Sequence, residues 1–440
     1  MNPLLLTLSA GLVLAQFALP RRLAFLPLLV AACHTPYQSM LAGQFSAVRL
    51  VLIAGILRML GSGLNRWTFR NPLDLLLLVW SSVALLSAFG HETGNPFQYR
   101  AGLVLNVFGT YLYTRAYIRT TADFSASVRA LAVVLVPLAG MLLVEVITGA
   151  NAYHGLGSRL AEALVRQDRT RAMGPFGTPI LAGTLGAVSF PLFVALWKTH
   201  QRTAGIGIGA CIVIVLTSAS SGPIGTLLIG SGALVLWRWR RSLKTIRTTA
   251  LVLLVVVQLF RERSVWYFIS MIDFVGGSTG WHRSRLLEST MSHFGEWWLA
   301  GTDYTRHWMP YGLPANPDHC DLTSYYVHLG VIGGLPLLLT LLVIIWRAFH
   351  YIGAGIRSMR QAKLPDEFLL WCVGSALFAH TLTFFTISYF DQLYVFFYSL
   401  IAAITPLTAA AAVKPTPIKP RHAPEFASAA AGSSGSFQSA

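Results

Sequence analysis

Runs of apolar residues, repeated along the whole chain, constrain this sequence more than any motif in it. Leu73–Gly90, Ser127–Thr148, Phe176–Trp197, Thr249–Phe260 with its flanks and Val327–Trp346 read as membrane helices. A helix crosses a bilayer with roughly 17–25 such residues. It also satisfies its own backbone polar groups where no water is at hand. Charged residues make up 11% of the 440 positions and hydrophobic ones 54%, whereas a soluble domain carries about a quarter charged residues. Most of the surface therefore faces something other than water. The expected spans are 3–19, 23–40, 44–61, 73–89, 99–117, 126–148, 177–198, 204–218, 222–238, 247–260, 326–348, 367–388 and 392–412. Because Pro20, Arg21 and Arg22 interrupt the first two, the count is twelve or thirteen.

The formal net charge of +16 first suggests nucleic acid. The basic residues, however, sit in short clusters between apolar runs, as they do in cytoplasmic loops, so nucleic acid is set aside. Arg238–Lys244 and Arg347–Lys363 are two such clusters and belong on the cytoplasmic side. One span leads out between them and one returns, which makes 261–324 external. The same parity puts 149–175 outside, and Arg66–Asn71, Lys198–Arg202 and the tail inside. Met1–Pro20 has no charged leading region and reads as a retained first helix. The four cysteines show no CxxC or zinc-finger spacing. The expected organisation is helices over 1–260, an external segment 261–324, helices over 325–413, and a Pro-, Ala-, Ser- and Gly-rich disordered tail over 414–440.

The external segment is too long and too aromatic to be a plain connection. It contains Trp266, Trp281, Trp297, Trp298 and Trp308, with His282, His293, His307 and His319, and Arg261, Arg263, Arg283, Arg285 and Arg306. Trp281–Phe294 reads as an amphipathic helix with Leu286, Leu287, Thr290 and Phe294 on its apolar row. Arg283 extends that row and points to the buried side. Ser278 or Thr279 can cap the helix. Arginines in the first turns of a capped helix suit an anion, although arginines near a bilayer also snorkel to headgroups. His319 has Asp318 and Asp321 beside it and fits a general base. An interfacial histidine that only hydrogen-bonds fits the same spacing. The histidines, with Asp303, Asp318 and Asp321, lack HExxH or HxxxH spacing, so no metal site is expected.

Three ordered motifs resemble the O-antigen ligase and O-antigen polymerase superfamily of bacterial envelope polysaccharide enzymes. His319 stands eleven positions before Gly330-Val331-Ile332-Gly333, similar to the family's loop histidine followed by Gly-x-x-Gly. Arg171-Ala172-Met173-Gly174-Pro175-Phe176-Gly177-Thr178-Pro179 resembles its Arg-x-x-Gly-x-Phe-Gly-x-Pro stretch. Gly280 to Arg285, with Trp297–Thr302, is similar to its Gly-Arg helix and following glycine turn. Two departures stand out. Thr217-Ser218-Ala219-Ser220-Ser221-Gly222 lacks the arginine of the family's Thr-x-Ser-Arg, and Cys320 stands where the family has Asn. Both suggest a divergent branch, closer to exopolysaccharide-cluster members.

The resemblance implies an all-α polytopic membrane protein of GT-C-like architecture in the bacterial inner membrane, with a large, partly helical periplasmic loop. The implied activity is glycosyl transfer on the periplasmic side, by a polymerase or a ligase. The donor would be an undecaprenyl-pyrophosphate-linked glycan and the acceptor a glycan or lipid A–core hydroxyl, with no cofactor and no metal. Arg171, Arg283 and Arg285 would hold the pyrophosphate, since arginines can replace a metal there. His319 would take the acceptor proton, with Asp321 or Asp318 orienting it. Trp281, Trp297 and Trp308, with Trp298, would stack on sugars or anchor at headgroups. Protein O-oligosaccharyltransferase, lipid-linked sugar transporter or flippase, and non-catalytic scaffold are the rival readings. Paired broken helices in symmetric halves would mark a transporter, and none is evident.

Overall fold

The computed structural model describes residues 2–37, 45–62, 71–260, 266–271, 273–275, 280–313 and 316–409. Ser278, Thr279, Arg261, Arg263 and the 414–440 tail lie outside these residues. Among the described residues the chain is helical almost throughout, with two small antiparallel hairpins. Four stretches are long and apolar enough to cross a membrane: Pro72–Gly90, Thr121–Thr148, Ser221–Phe260 and Tyr325–Gln361. This is an all-α membrane protein by length and composition. The spans expected at 222–238 and 247–260 are parts of one of these stretches. Several other expected spans fall on shorter apolar helices, such as Pro179–Ala195 and Leu393–Ala409. A helix of 17 residues is only about 25 Å long, short of the roughly 30 Å hydrocarbon core.

The helices are α1 (Pro3–Ala18), α2 (Leu26–His34), α3 (Ala47–Gly61), α4 (Pro72–Leu86), α5 (Pro96–Val104), α6 (Thr110–Tyr117) and α7 (Thr121–Thr148). A hairpin of β1 (Leu164–Arg166) and β2 (Arg169–Arg171) follows. Next come α8 (Pro179–Ala195), α9 (Gln201–Thr217), α10 (Ser221–Val235) and α11 (Leu243–Phe260). The polar segment holds α12 (Tyr267–Ser270), α13 (Gly280–Ser292), α14 (Phe294–Trp297), β3 (Gly312–Leu313) and β4 (Asn316–Cys320). The chain closes with α15 (Tyr325–Gln361), α16 (Glu367–Thr383) and α17 (Leu393–Ala409).

Local chemistry sets the helix ends. Thr120 and Asp123 form a reciprocal capping box at the start of α7, and Gly149 closes it in the left-handed conformation. Thr178 caps α8 with Pro179 in its first turn. The bundle centre is built by α8 against α9, α10 and α16, and by α15 against α4, α16 and α17. Along α11, by contrast, no residue is buried, and Leu251, Val252, Leu253 and Leu254 are all exposed. An apolar surface of this kind calls for a lipid or protein neighbour.

The two basic clusters meet at one end, where Arg240 and Arg360 both reach Glu367 Oε1, at 3.4 and 2.8 Å. The 149–175 segment and the 280–324 subdomain gather at another part of the bundle, where charges on the β1–β2 hairpin act on α13.

A break in α15 docks this subdomain. Gly333 and Gly334 leave the helical conformation, the latter with φ +70° and ψ −171°. Helical hydrogen bonds are lost there, and the subdomain supplies partners. Thr302 N donates to Val331 O (3.0 Å), and Leu335 N donates to Trp298 O (2.7 Å). From the bundle, Arg100 Nη2 (2.6 Å) and Ser87 Oγ (3.3 Å) donate to Ile332 O. The approach leaves no room for side chains: a Cβ on Gly334 would lie 2.5 Å from Leu299 O, and one on Gly301 2.1 Å from Val331 O. Gly334→Ala should therefore cost about 1–3 kcal/mol in backbone strain alone, with the clash added. It should visibly lower the melting temperature in detergent, and a wild-type melting curve would refute the docking role.

Candidate functional site

The segment 169–179 is pinned by buried carboxylates and serines. Glu145, at the end of α7, accepts from Met173 N (3.0 Å) and Gly174 N (2.9 Å). Asp391 accepts from Gly177 N (3.3 Å), and Ala172 N donates to Thr217 O (3.0 Å). Arg171 is thereby aimed at the turn between α9 and α10. Its Nη2 donates to Ser220 Oγ at 2.6 Å and its Nε to Ser218 O at 3.4 Å. The turn that lacks the expected arginine instead receives one from β2.

Opposite lies Arg283 on α13. It is only 7% exposed and shares the buried face with Ser284, Leu286, Leu287 and Thr290, as its place on the apolar row predicts. Its Nε is buried without a hydrogen-bond partner among the described residues. Burial depresses its pKa most, Asp321 opposes this, and the positive charges of Arg166 and Arg171 depress it further. A guanidinium stays charged regardless. The charges of Arg166, Arg171 and Asp321 thus all act on Arg283. Burial, followed by Arg166, also lowers the Arg171 pKa. Arg166 is exposed and Arg171 half-buried, and positive charge gathered around one buried guanidinium favours an anion. Arg285, two residues from Arg283, is on the exposed face and apart from this group.

His319 stands on β4, half-buried, with Nδ1 3.1 Å from Thr305 Oγ1. That hydroxyl also accepts from Cys320 N at 3.2 Å, and Thr305 N donates to Asp318 O at 2.9 Å. Burial lowers the His319 pKa, and Asp303 and Asp318 oppose it. Of the two expected orienting carboxylates, Asp318 acts on His319, whereas Asp321 acts on Arg283 and on His282, whose pKa is lowered by burial first. The group that holds the His319 ring is thus a threonine hydroxyl. Asp303 is itself fixed, accepting from Glu92 N (2.8 Å) and Thr93 N (3.1 Å) and bonding His91 Nδ1 at 2.5 Å. Burial raises its pKa, but these bonds prevail and hold it at about 2. The arginine charges are not among those acting on His319; it joins their group only through the chain to Asp321.

The tryptophans divide by burial. Trp297 and Trp308 are 4% and 3% exposed and pack with Leu286, Leu287 and Met309 in the subdomain core. Trp297 Nε1 donates to Thr290 O at 2.9 Å. Neither ring is open to a sugar. The open rings are Trp281 and Trp298, at 48% and 47% exposure.

Compared with models of protein families and with curated proteins, the chain matches none. The site therefore rests on its own geometry. Sequence reading missed Arg166, Ser218, Ser220 and Thr305. Arg166 has a faint signal, a five-residue interval to Arg171 that fits a tight hairpin. Its turn residues, Gln167 and Asp168, both take positive φ (50° and 58°) without the glycine such turns favour.

An anion cradle held open by repelling charges has a stability cost. Arg283→Met should raise the melting temperature of the ligand-free protein while removing its stabilisation by inorganic pyrophosphate. Paired thermal shifts with and without pyrophosphate check this. Equal pyrophosphate stabilisation in both proteins would count against an anion site.

Proposed function

We propose that the chain is a glycosyltransferase that takes its sugar from a polyprenyl-pyrophosphate-linked glycan, as the O-antigen ligase and polymerase superfamily does. The observation that carries this reading is the buried Arg283, with an unpartnered Nε, on which the charges of Arg166 and Arg171 act. A diphosphate is the leaving group that such a site suits, because spread guanidinium donors neutralise the charge developing on it. Apolar helices beside the cradle suit a lipid-linked donor, with the polyprenyl tail in the bilayer and the diphosphate at its surface.

In this reading the acceptor hydroxyl attacks the anomeric carbon of the donor sugar. His319 takes the hydroxyl proton, a new glycosidic bond forms, and the bond to phosphate breaks with its electron pair leaving on the lipid pyrophosphate. For this, Nδ1–H donates to Thr305 Oγ1 and Nε2 keeps the lone pair. Trp281 or Trp298 offers an exposed face for a sugar ring. Both polar segments would lie on the periplasmic side of the inner membrane, opposite the Arg240–Glu367–Arg360 contact, consistent with basic loops facing the cytoplasm. The twelve-to-thirteen-span topology belongs to the same reading. In it, shorter helices such as α8, α9, α16 and α17 also cross.

Two results follow. Burial disfavours the His319 cation, so the neutral base persists below the ordinary imidazole value of 6.5. The acid limb of the rate profile should therefore fall below pH 6.5. Second, His319→Ala should reduce turnover by about 10²–10⁴-fold, and Arg283→Ala should abolish it. A deletion strain complemented with each variant, with surface polysaccharide resolved on gels, is the direct check. Single attached repeats without long chains would mean polymerase, and accumulated lipid-linked polymer would mean ligase. Full rescue by both variants would refute the catalytic reading.

A further inference from the structure

We propose that His293, Glu296 and His307 form a binding site for a divalent transition ion of the zinc class, outside the arginine cradle. Sequence spacing gave no such expectation, because the three residues come from the position between α13 and α14, from α14 and from the turn 306–308. The fold brings one potential ligand atom of each to within 4.8 Å of the others. Ligands about 2.1 Å from a tetrahedral ion stand roughly 3.4 Å apart, so small side-chain rotations close the set. His307 Nε2 already lies 3.0 Å from Glu296.

Each ligand is held from behind. His293 Nδ1 is 2.8 Å from Ser289 O, so Nδ1–H donates there and the lone pair falls on Nε2. Such a backbone partner typically fixes a metal-binding imidazole. Trp308 Nε1 donates to Glu296 Oε2 at 2.8 Å, and its indole stacks on His293 at 21°. Tyr304 stacks on His307 at 10°. Burial alone would raise the Glu296 pKa, but the bonds from Trp308 and His307, with the nearby histidine charges, outweigh it and keep the carboxylate ionised.

Two imidazoles and one carboxylate suit zinc and its neighbours, not calcium or magnesium, which prefer all-oxygen sets. Glu296 and His307 are exposed, so solvent can supply the remaining ligand. The ion would tie α14 to the 306–308 turn, directly after Thr305. Its role would be to clamp the subdomain wall, with no part in the chemistry at the cradle.

The test uses full-length protein in detergent, without a histidine tag and stripped with EDTA. Equilibrium dialysis against zinc should give the wild type one more bound equivalent than His293→Ala, Glu296→Gln or His307→Ala. His200→Ala, half-buried on the connection between α8 and α9, should keep the wild-type value. Equal binding by the wild type and all three variants would overturn the site. If a variant fails to fold, cobalt added to wild-type protein decides: visible d–d bands displaced by zinc support the site, and their absence refutes it. Because the ion is assigned no chemical step, zinc should raise the melting temperature while EDTA-treated protein keeps its turnover.

Discussion

The break in α15 is the constraint on which the rest depends. A helix this apolar cannot leave carbonyls unpaired without a cost of several kcal/mol for each group in hydrocarbon. Partners for Val331, Ile332 and Leu335 come from Thr302, Arg100, Ser87 and Trp298. Some belong to the bundle and some to the polar subdomain, so the backbone of one fixes the register of the other. Trp297 completes the contact by lying against Gly330. The spacing from Gly330 to Gly334 thus reads as docking geometry. It sets where α13 stands, and with it the position of Arg283.

Given that docking, the sign of the site follows from how the carboxylates are used. Glu145 and Asp391 are both buried, and they accept from backbone amides of 173, 174 and 177, a few residues beyond Arg171. Asp303 likewise accepts from Glu92 and Thr93. These acids shape the chain around the arginines without neutralising them. Asp321 alone is left acting on Arg283 among the described carboxylates. A region already rich in acids therefore keeps a net positive centre, which composition alone could not predict.

The helical character was legible because apolar run length is a direct physical signal of a bilayer. The burial of Arg283 was legible too, since it lies one turn from Leu286 and Leu287. The placement of Arg166 was not: it depends on a two-residue turn made by Gln167 and Asp168, whose residue types do not announce it. Trp297 and Trp308 show the opposite failure. An aromatic near a membrane surface can anchor, stack on a sugar or fill a core, and only the packing of α13 on α14 and β4 selects the last. Asp321 or Asp318 was expected beside His319 from proximity in sequence; the charge of Asp318 acts on it, and that of Asp321 acts on Arg283.

His319 and Asp321 are two residues apart, so their Cα atoms lie at most about 7 Å from each other. The histidine is held by Thr305, while the charge of the aspartate acts on Arg283. Cys320, buried between them, has its amide tied to Thr305. The Thr305 hydroxyl is thus shared between Cys320 N and the His319 ring.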